Sequence, residues 1–270
     1  MWVDSHCHLS QLKFNNDDNL DAALSRARDL KVKAFLCIAT DIENTQQIQT
    51  LCRDYEDVWT SAGIHPLNFQ NEENWQQQLN QLAESADCVA IGETGLDFYY
   101  ATDKGQQQSQ IEAFSYHIEL SKKLKKPLII HTRDARDATL ELLKSSNLPE
   151  KPGVIHCFTE DLETAKAFVD LGFYISFSGI VTFKNAQTIQ NAMKNLPLER
   201  ILIETDSPYL APVPFRGKPN FPEHVVKVGE FIAQQRELPI EQVAEVTSSN
   251  FYSLFNIPFS IATKSSQKKP

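Results

Sequence analysis

The sequence predicts an α/β fold, a single (β/α)8 TIM-like barrel, and three observations carry that expectation. Eight short runs rich in apolar, β-branched or aromatic residues recur along the chain. Longer stretches with a 3.6-residue polar-apolar period separate them, the pattern of parallel strands joined by helical crossovers. The length of 270 residues also suits such a barrel, which takes roughly 250.

In order, the runs are MWVDSH (1–6), KAFLCIA (33–39), VWTSAGI (58–64), CVAIGE (88–93), PLIIHT (127–132), GVIHCF (153–158), FYISFSG (173–179) and RILIETD (200–206). The helical pattern is clearest in 18–30, 107–126 and 159–171. Asp18, Asp41, Asp134 and Thr159 stand where helix caps are expected. An open doubly wound sheet is the alternative, but no G-x-G-x-x-G turn supports it. The barrel is expected to span 1–258, and the polar, terminally basic stretch 259–270 to be a disordered tail.

Composition narrows the function. A formal net charge of −9 and a pI near 5.3 exclude a protein that coats nucleic acid through a broad basic footprint. A charged substrate remains possible if metal ions supply positive charge locally. The cysteines at 7, 37, 52, 88 and 157 form no C-x-x-C pair, so they read as small buried residues in a reducing compartment. No apolar run approaches the roughly 20 residues of a membrane span, and no secretory leader is visible. The expected location is cytoplasmic, with no membrane and no obligate protein partner.

A barrel keeps its chemistry at the C-terminal ends of its strands. Here those ends carry His6 and His8, His65 of G-I-H-P, Glu93, His131, His156, and Glu204 with Asp206, leaving only His117 and His224 of the seven histidines elsewhere. Positions i and i+2 of a strand share a face, about 6.6 Å apart at roughly 3.3 Å per residue. His6 and His8 can therefore converge on one ion while Cys7 turns away. Imidazoles mixed with carboxylates suit zinc, manganese and similar ions. Four histidines with Glu93 and Asp206 exceed the ligands of one tetrahedral ion with an open position, so two ions and a bridging carboxylate fit better. Taken singly, each histidine could brace a strand end, and each carboxylate could cap a helix. The joint pattern points to a metal centre.

The motifs D-S-H-C-H-L, G-I-H-P, A-I-G-E-T-G-L-D-F, P-L-I-I-H-T-R-D-A, G-V-I-H-C-F-T, I-S-F-S-G-I-V-T-F and L-I-E-T-D-S-P-Y-L-A-P-V-P-F-R-G-K-P-N, in that order, resemble the TatD family of metal-dependent hydrolases. The resemblance runs from about residue 1 to 258. It implies a TIM-like barrel of the metal-dependent hydrolase type, two divalent metal ions (Zn, Mn or Mg), and deoxyribonuclease activity, including exonuclease attack from the 3′ end. Carried over residue by residue, it implies that His6, His8, Glu93 and Asp206 hold one ion and that Glu93, His131 and His156 hold the second, with Glu93 bridging. It places His65 near the centre, in contact with substrate phosphate or leaving group, unless that ring only braces its loop.

Two ions about 3.5 to 4 Å apart would activate water and neutralise charge on phosphate. Asp206 is then the expected general base, and Glu204 is expected to orient a ligand or water. Cys157, next to His156, should face the other way on a strand and so offers no nucleophile. Arg133, Arg216 and Lys218 suit phosphate, and Phe98, Tyr99 and Tyr100 could stack unpaired bases of a single strand or frayed 3′ end. Each of these could instead be a solvated or packed loop residue. The competing function is hydrolysis of a carbon-centred ester or amide, such as an aminoacyl ester on tRNA or a lactone, by the same centre. A metal-bearing scaffold is disfavoured, because all six candidate ligands are present.

Overall fold

Trp2–Cys7 (β1) is buried along its whole length, as a strand covered on both faces must be. In the computed structural model, which describes residues 1–15, 18–69 and 73–258, seven more strands follow. They are Val32–Cys37 (β2), Val58–Ala62 (β3), Cys88–Asp97 (β4), Leu128–Arg133 (β5), Gly153–Ile155 (β6), Tyr174–Phe177 (β7) and Ile201–Ile203 (β8). They lie parallel in sequence order. The seam between β8 and β1 is drawn together by the Asp206 N–H on His6 O (2.9 Å) and the His8 N–H on Ser207 O (2.8 Å). The sheet is therefore a nearly closed barrel, as expected.

The crossovers are the helices Leu20–Asp29 (α1), Ile42–Cys52 (α2), Trp75–Ala83 (α3), Lys104–Leu124 (α4), Arg136–Ser145 (α5), Leu162–Asp170 (α6), Gln187–Asn195 (α7) and Val225–Arg236 (α8), followed by Ile240–Leu254 (α9). Among the four expected caps, Asp41 accepts the Asn44 N–H at 2.7 Å. The cap of α1 is Asn19 rather than Asp18, and that of α6 is Asp161 rather than Thr159. Asp134 instead takes a left-handed backbone (φ 51°), and α5 begins after Ala135. One core cluster lies between strands and helices. A second joins Phe251 of α9 and Phe255 just after it to Val3, Ala90, Ile129, Val154 and Leu202, each the second or third residue of its strand. The helix thus packs toward the strand starts, away from the ends that carry the histidines.

Of the strand ends that differ from expectation, three matter most for the site. The fourth run continues past Glu93 to Asp97, pairing Gly95 with His131 and Asp97 with Arg133. Only glycine fits at 95, where φ is +136° and a Cβ would lie 2.0 Å from His131 O. The sixth and eighth runs stop early, at Ile155 and Ile203, and the chain then leaves extended geometry through left-handed Cys157 (φ 44°) and Asp206 (φ 54°). Strand alternation does not hold beyond those points. The tail expected over 259–270 lies outside the described residues.

Candidate metal centre

Glu93 stands in the middle of the strand ends, its side chain almost fully buried. Its two oxygens face different partners. Oε2 lies 3.5 Å from His6 Nε2 and 3.9 Å from His8 Nε2. Oε1 lies 2.7 Å from His156 Nε2, 3.3 Å from His131 Nδ1 and 3.5 Å from His65 Nε2. Asp206 Oδ1 adds to the first group, 3.4 Å from His6 Nε2 and 3.3 Å from His8 Nε2. The i, i+2 spacing does bring the first pair together, their Nε2 atoms 3.2 Å apart. Cys7 turns away and reaches Leu36 O.

The far nitrogen of three rings is anchored, which fixes where the near lone pair points. His8 Nδ1–H donates to Ile38 O at 3.2 Å, His131 Nε2–H to Asp97 Oδ2 at 3.1 Å, and His156 Nδ1–H to Glu204 Oε1 at 3.3 Å. Each then presents its other nitrogen to Glu93 or Asp206, an arrangement typical of metal-ligating histidine. His156 Nε2 is buried and, despite its 2.7 Å approach to Glu93, lacks the alignment of a hydrogen bond. Converging lone pairs and carboxylates with such an orphaned nitrogen fit a divalent cation. His6–His8–Glu93 and His6–His156–Asp206 are compact enough to share one, and so is His65–Glu93–His131.

His65 differs from the others. Its Nδ1 accepts the Leu67 N–H at 3.2 Å, so the neutral ring carries its proton on Nε2, the atom turned to Glu93. A protonated nitrogen has no lone pair for an ion, which makes His65 a hydrogen-bond donor at the rim of the centre.

Electrostatics follow from burial and these contacts. Burial alone would raise the Glu93 pKa, but His156, His65 and His131 hold it well below the usual carboxylate range. Burial opposes ionisation of Asp206 too, and His8 and His6 outweigh it. His156 is pushed well above an ordinary imidazole by Glu93 and Glu204 against its burial, whereas burial lowers His65 to about 4. Protons and cations therefore compete for the same nitrogens.

The remaining sequence candidates fall into two groups. Glu204 meets the centre through His156 and also accepts the Cys157 N–H at 2.8 Å. Arg133 lines the cavity of about 860 Å³ above Glu93, with its guanidinium 4.0 Å from the Tyr99 ring and 5.2 Å from Tyr100, which also lines it. Phe98 packs against the core, while Arg216 covers the Phe183 ring at 4.2 Å. Neither of these lines the cavity, and nor does Lys218. Cys157 does line it, contrary to the strand-alternation expectation, because β6 has already ended. Its thiol is still no nucleophile, since burial and then Asp206 raise its pKa far above the ordinary value.

Apart from Glu204, sequence reading missed the groups that hold the ligands. Asp97 accepts the Tyr100 N–H at 3.1 Å, as a turn residue would, but its other oxygen orients His131. Gln110 of α4 accepts the Asp97 N–H at 2.8 Å and donates to Pro66 O at 3.3 Å, tying the His131 support to the His65 loop. His117, also on α4, donates from Nδ1 to Ala113 O (2.7 Å) and accepts the Ile64 N–H on Nε2 (3.1 Å). At the barrel seam, Asp4 accepts both the Thr205 N–H (2.9 Å) and hydroxyl (2.6 Å), fixing the residue before Asp206.

A family model described as TatD related DNase matches residues 3–256. The uncharacterized metal-dependent hydrolase YcfH of Escherichia coli K12 is 46% identical over 94% of this chain and 96% of its own length. YabD of Bacillus subtilis 168, an uncharacterized metal-dependent hydrolase, is 36% identical over 95% of this chain and 100% of its own. Among solved structures, YjjV, a TatD homologue from Escherichia coli K12, superimposes with a TM-score of 0.88 at 32% identity, covering 95% of this chain and 98% of that one. On these matches and on motifs that converge at one end of the barrel, the chain belongs to the TatD-related DNase family.

Proposed function

We propose that the chain is a metal-dependent hydrolase that cleaves phosphodiester bonds of DNA, working inward from an unpaired 3′ end. The observation that carries this reading is the division of Glu93, one oxygen toward His6 and His8 and the other toward His131 and His156. That is the arrangement of a carboxylate shared by two cation sites. His6, His8 and Asp206 would complete one site, His131 and His156 the other. Two divalent ions so held would activate water and neutralise charge on the attacking and leaving oxygens.

The chain's own groups do the rest. Asp206 is ionised and its oxygen lies at the edge of both imidazoles of the first site, where it can take a proton from an attacking water. His65 offers Nε2–H to a phosphate or leaving oxygen. Glu204 and Asp97 hold His156 and His131 in the orientation that turns their free nitrogens inward. Arg133, held over Tyr99, can meet one phosphate at the mouth. The family name and the YcfH and YabD relatives support hydrolysis with metal.

The test is a panel of metal-reconstituted protein on 3′-labelled single-stranded DNA, aminoacyl-RNA and lactones. Metal-dependent shortening of the DNA from its 3′ end is expected. Turnover of the carbon-centred esters without DNA cleavage would overturn the proposal.

A further inference from the structure

The charge of the cavity is poorly matched to a long polyanion. Arg133 is the one arginine or lysine among the described residues that line it, in a chain of net charge −9. What the mouth offers instead is aromatic surface. Tyr100 and Tyr209 both line the cavity while remaining 56% and 53% exposed.

Tyr209 is the more firmly held of the two at its ring end. Its hydroxyl donates to Gln11 Oε1 at 2.8 Å, and Gln11 also lines the cavity. Its N–H donates to Asp206 O at 2.9 Å, its carbonyl accepts from Asn220 Nδ2 at 2.6 Å, and the His8 ring meets it edgewise at 6.2 Å. A half-exposed ring is thus fixed three residues from Asp206, against a histidine of the centre. We infer that Tyr209 is the stacking platform for the nucleobase next to the phosphate under attack. The inference rests on the nuclease reading and deepens it: the ligand is an unpaired terminal nucleotide, gripped by stacking and by the centre rather than by phosphate–cation pairs. Every base has a π face, so such a platform tolerates any sequence. A ring already held in place loses little freedom when the base arrives.

Two measurements on the full-length Mn2+-loaded protein test this. The first compares kcat/KM on 3′-labelled single-stranded oligonucleotides ending in a normal or an abasic nucleotide. Tyr209→Leu is expected to lower the normal-to-abasic ratio about tenfold, mainly through KM, while Tyr209→Phe keeps it near the native value. Gln11→Ala, which like Tyr209→Phe keeps the ring and loses only its hydrogen bond to position 11, should match the Phe variant. An equal loss on both oligonucleotides, or an unchanged ratio, overturns the inference and leaves the nuclease reading standing. No cleavage of either by the native protein overturns both. The second is the salt dependence of binding, expected to have a slope near −0.7 for about one phosphate contact, whereas about six contacts would give roughly −4 and contradict it.

Discussion

Asp97 takes the Nε2–H of His131 at 3.1 Å, and that single bond decides which nitrogen His131 shows to Glu93. With Asn in place of Asp97, the amide can accept or donate, and the ring is no longer held to one tautomer. Asp97→Asn is expected to weaken the ion on the His131 side about 10- to 100-fold while leaving the ion at His6 and His8 in place. Isothermal titration with Zn2+ or Mn2+ reads both, and equal weakening of the two would contradict the assignment.

Gln110 joins the supports of two histidines, since it pairs with both Asp97 and Pro66. Gln110→Met removes both bonds and should reduce kcat and the affinity for the second ion. It also leaves buried polar groups unpaired, which costs about 1–3 kcal/mol each. Ser121→Ala, lower on the same helix, breaks a bond to Lys126 O and serves as the control. If it lowers metal affinity as much at equal loss of stability, Gln110 is merely structural.

How much of this was legible in the sequence follows from what each signal depends on. His6, His8, His65, Glu93, His131 and His156 end or follow apolar runs, and a barrel brings such ends together whatever the loops do. Asp97 lies four residues beyond Glu93 on a strand that continues past it, so the two-residue period could have placed both on one face. Gln110 and His117 gave no signal, because their partners Pro66 and Ile64 lie 44 and 53 residues away on another loop. Tyr209 lies three residues beyond left-handed Asp206, where no strand period applies. Arg216 and Lys218 follow β8, a position suited to phosphate-binding cations, but tertiary packing lays Arg216 over Phe183 instead.

His65 is expected to act on substrate, not on metal, because its Nδ1 is already occupied by the Leu67 N–H. His65→Ala should therefore still take up both ions while losing on the order of 10²-fold in kcat, the usual cost of one positioned donor. Loss of an ion in native mass spectrometry of that variant would show that the ring is a ligand after all.

His117 gives the fold an acid sensitivity of its own. Burial lowers its pKa to about 4, so the folded state holds the ring neutral while the unfolded chain protonates near 6.5. Its contribution is complete above pH 6.5 and is lost as the pH falls toward 4, reaching about 3 kcal/mol there. Urea unfolding of His117→Gln from pH 7 to pH 4 should fall less steeply than that of the native chain. Parallel curves would contradict this.

The shared carboxylate is the centre of the account, and metal stoichiometry of the Glu93→Ala variant tests it most directly. Titration with Mn2+, with ion counting by native mass spectrometry, is predicted to find two ions per native chain and at most one, weakly held, in the variant. Two ions bound by Glu93→Ala with native affinity would contradict it.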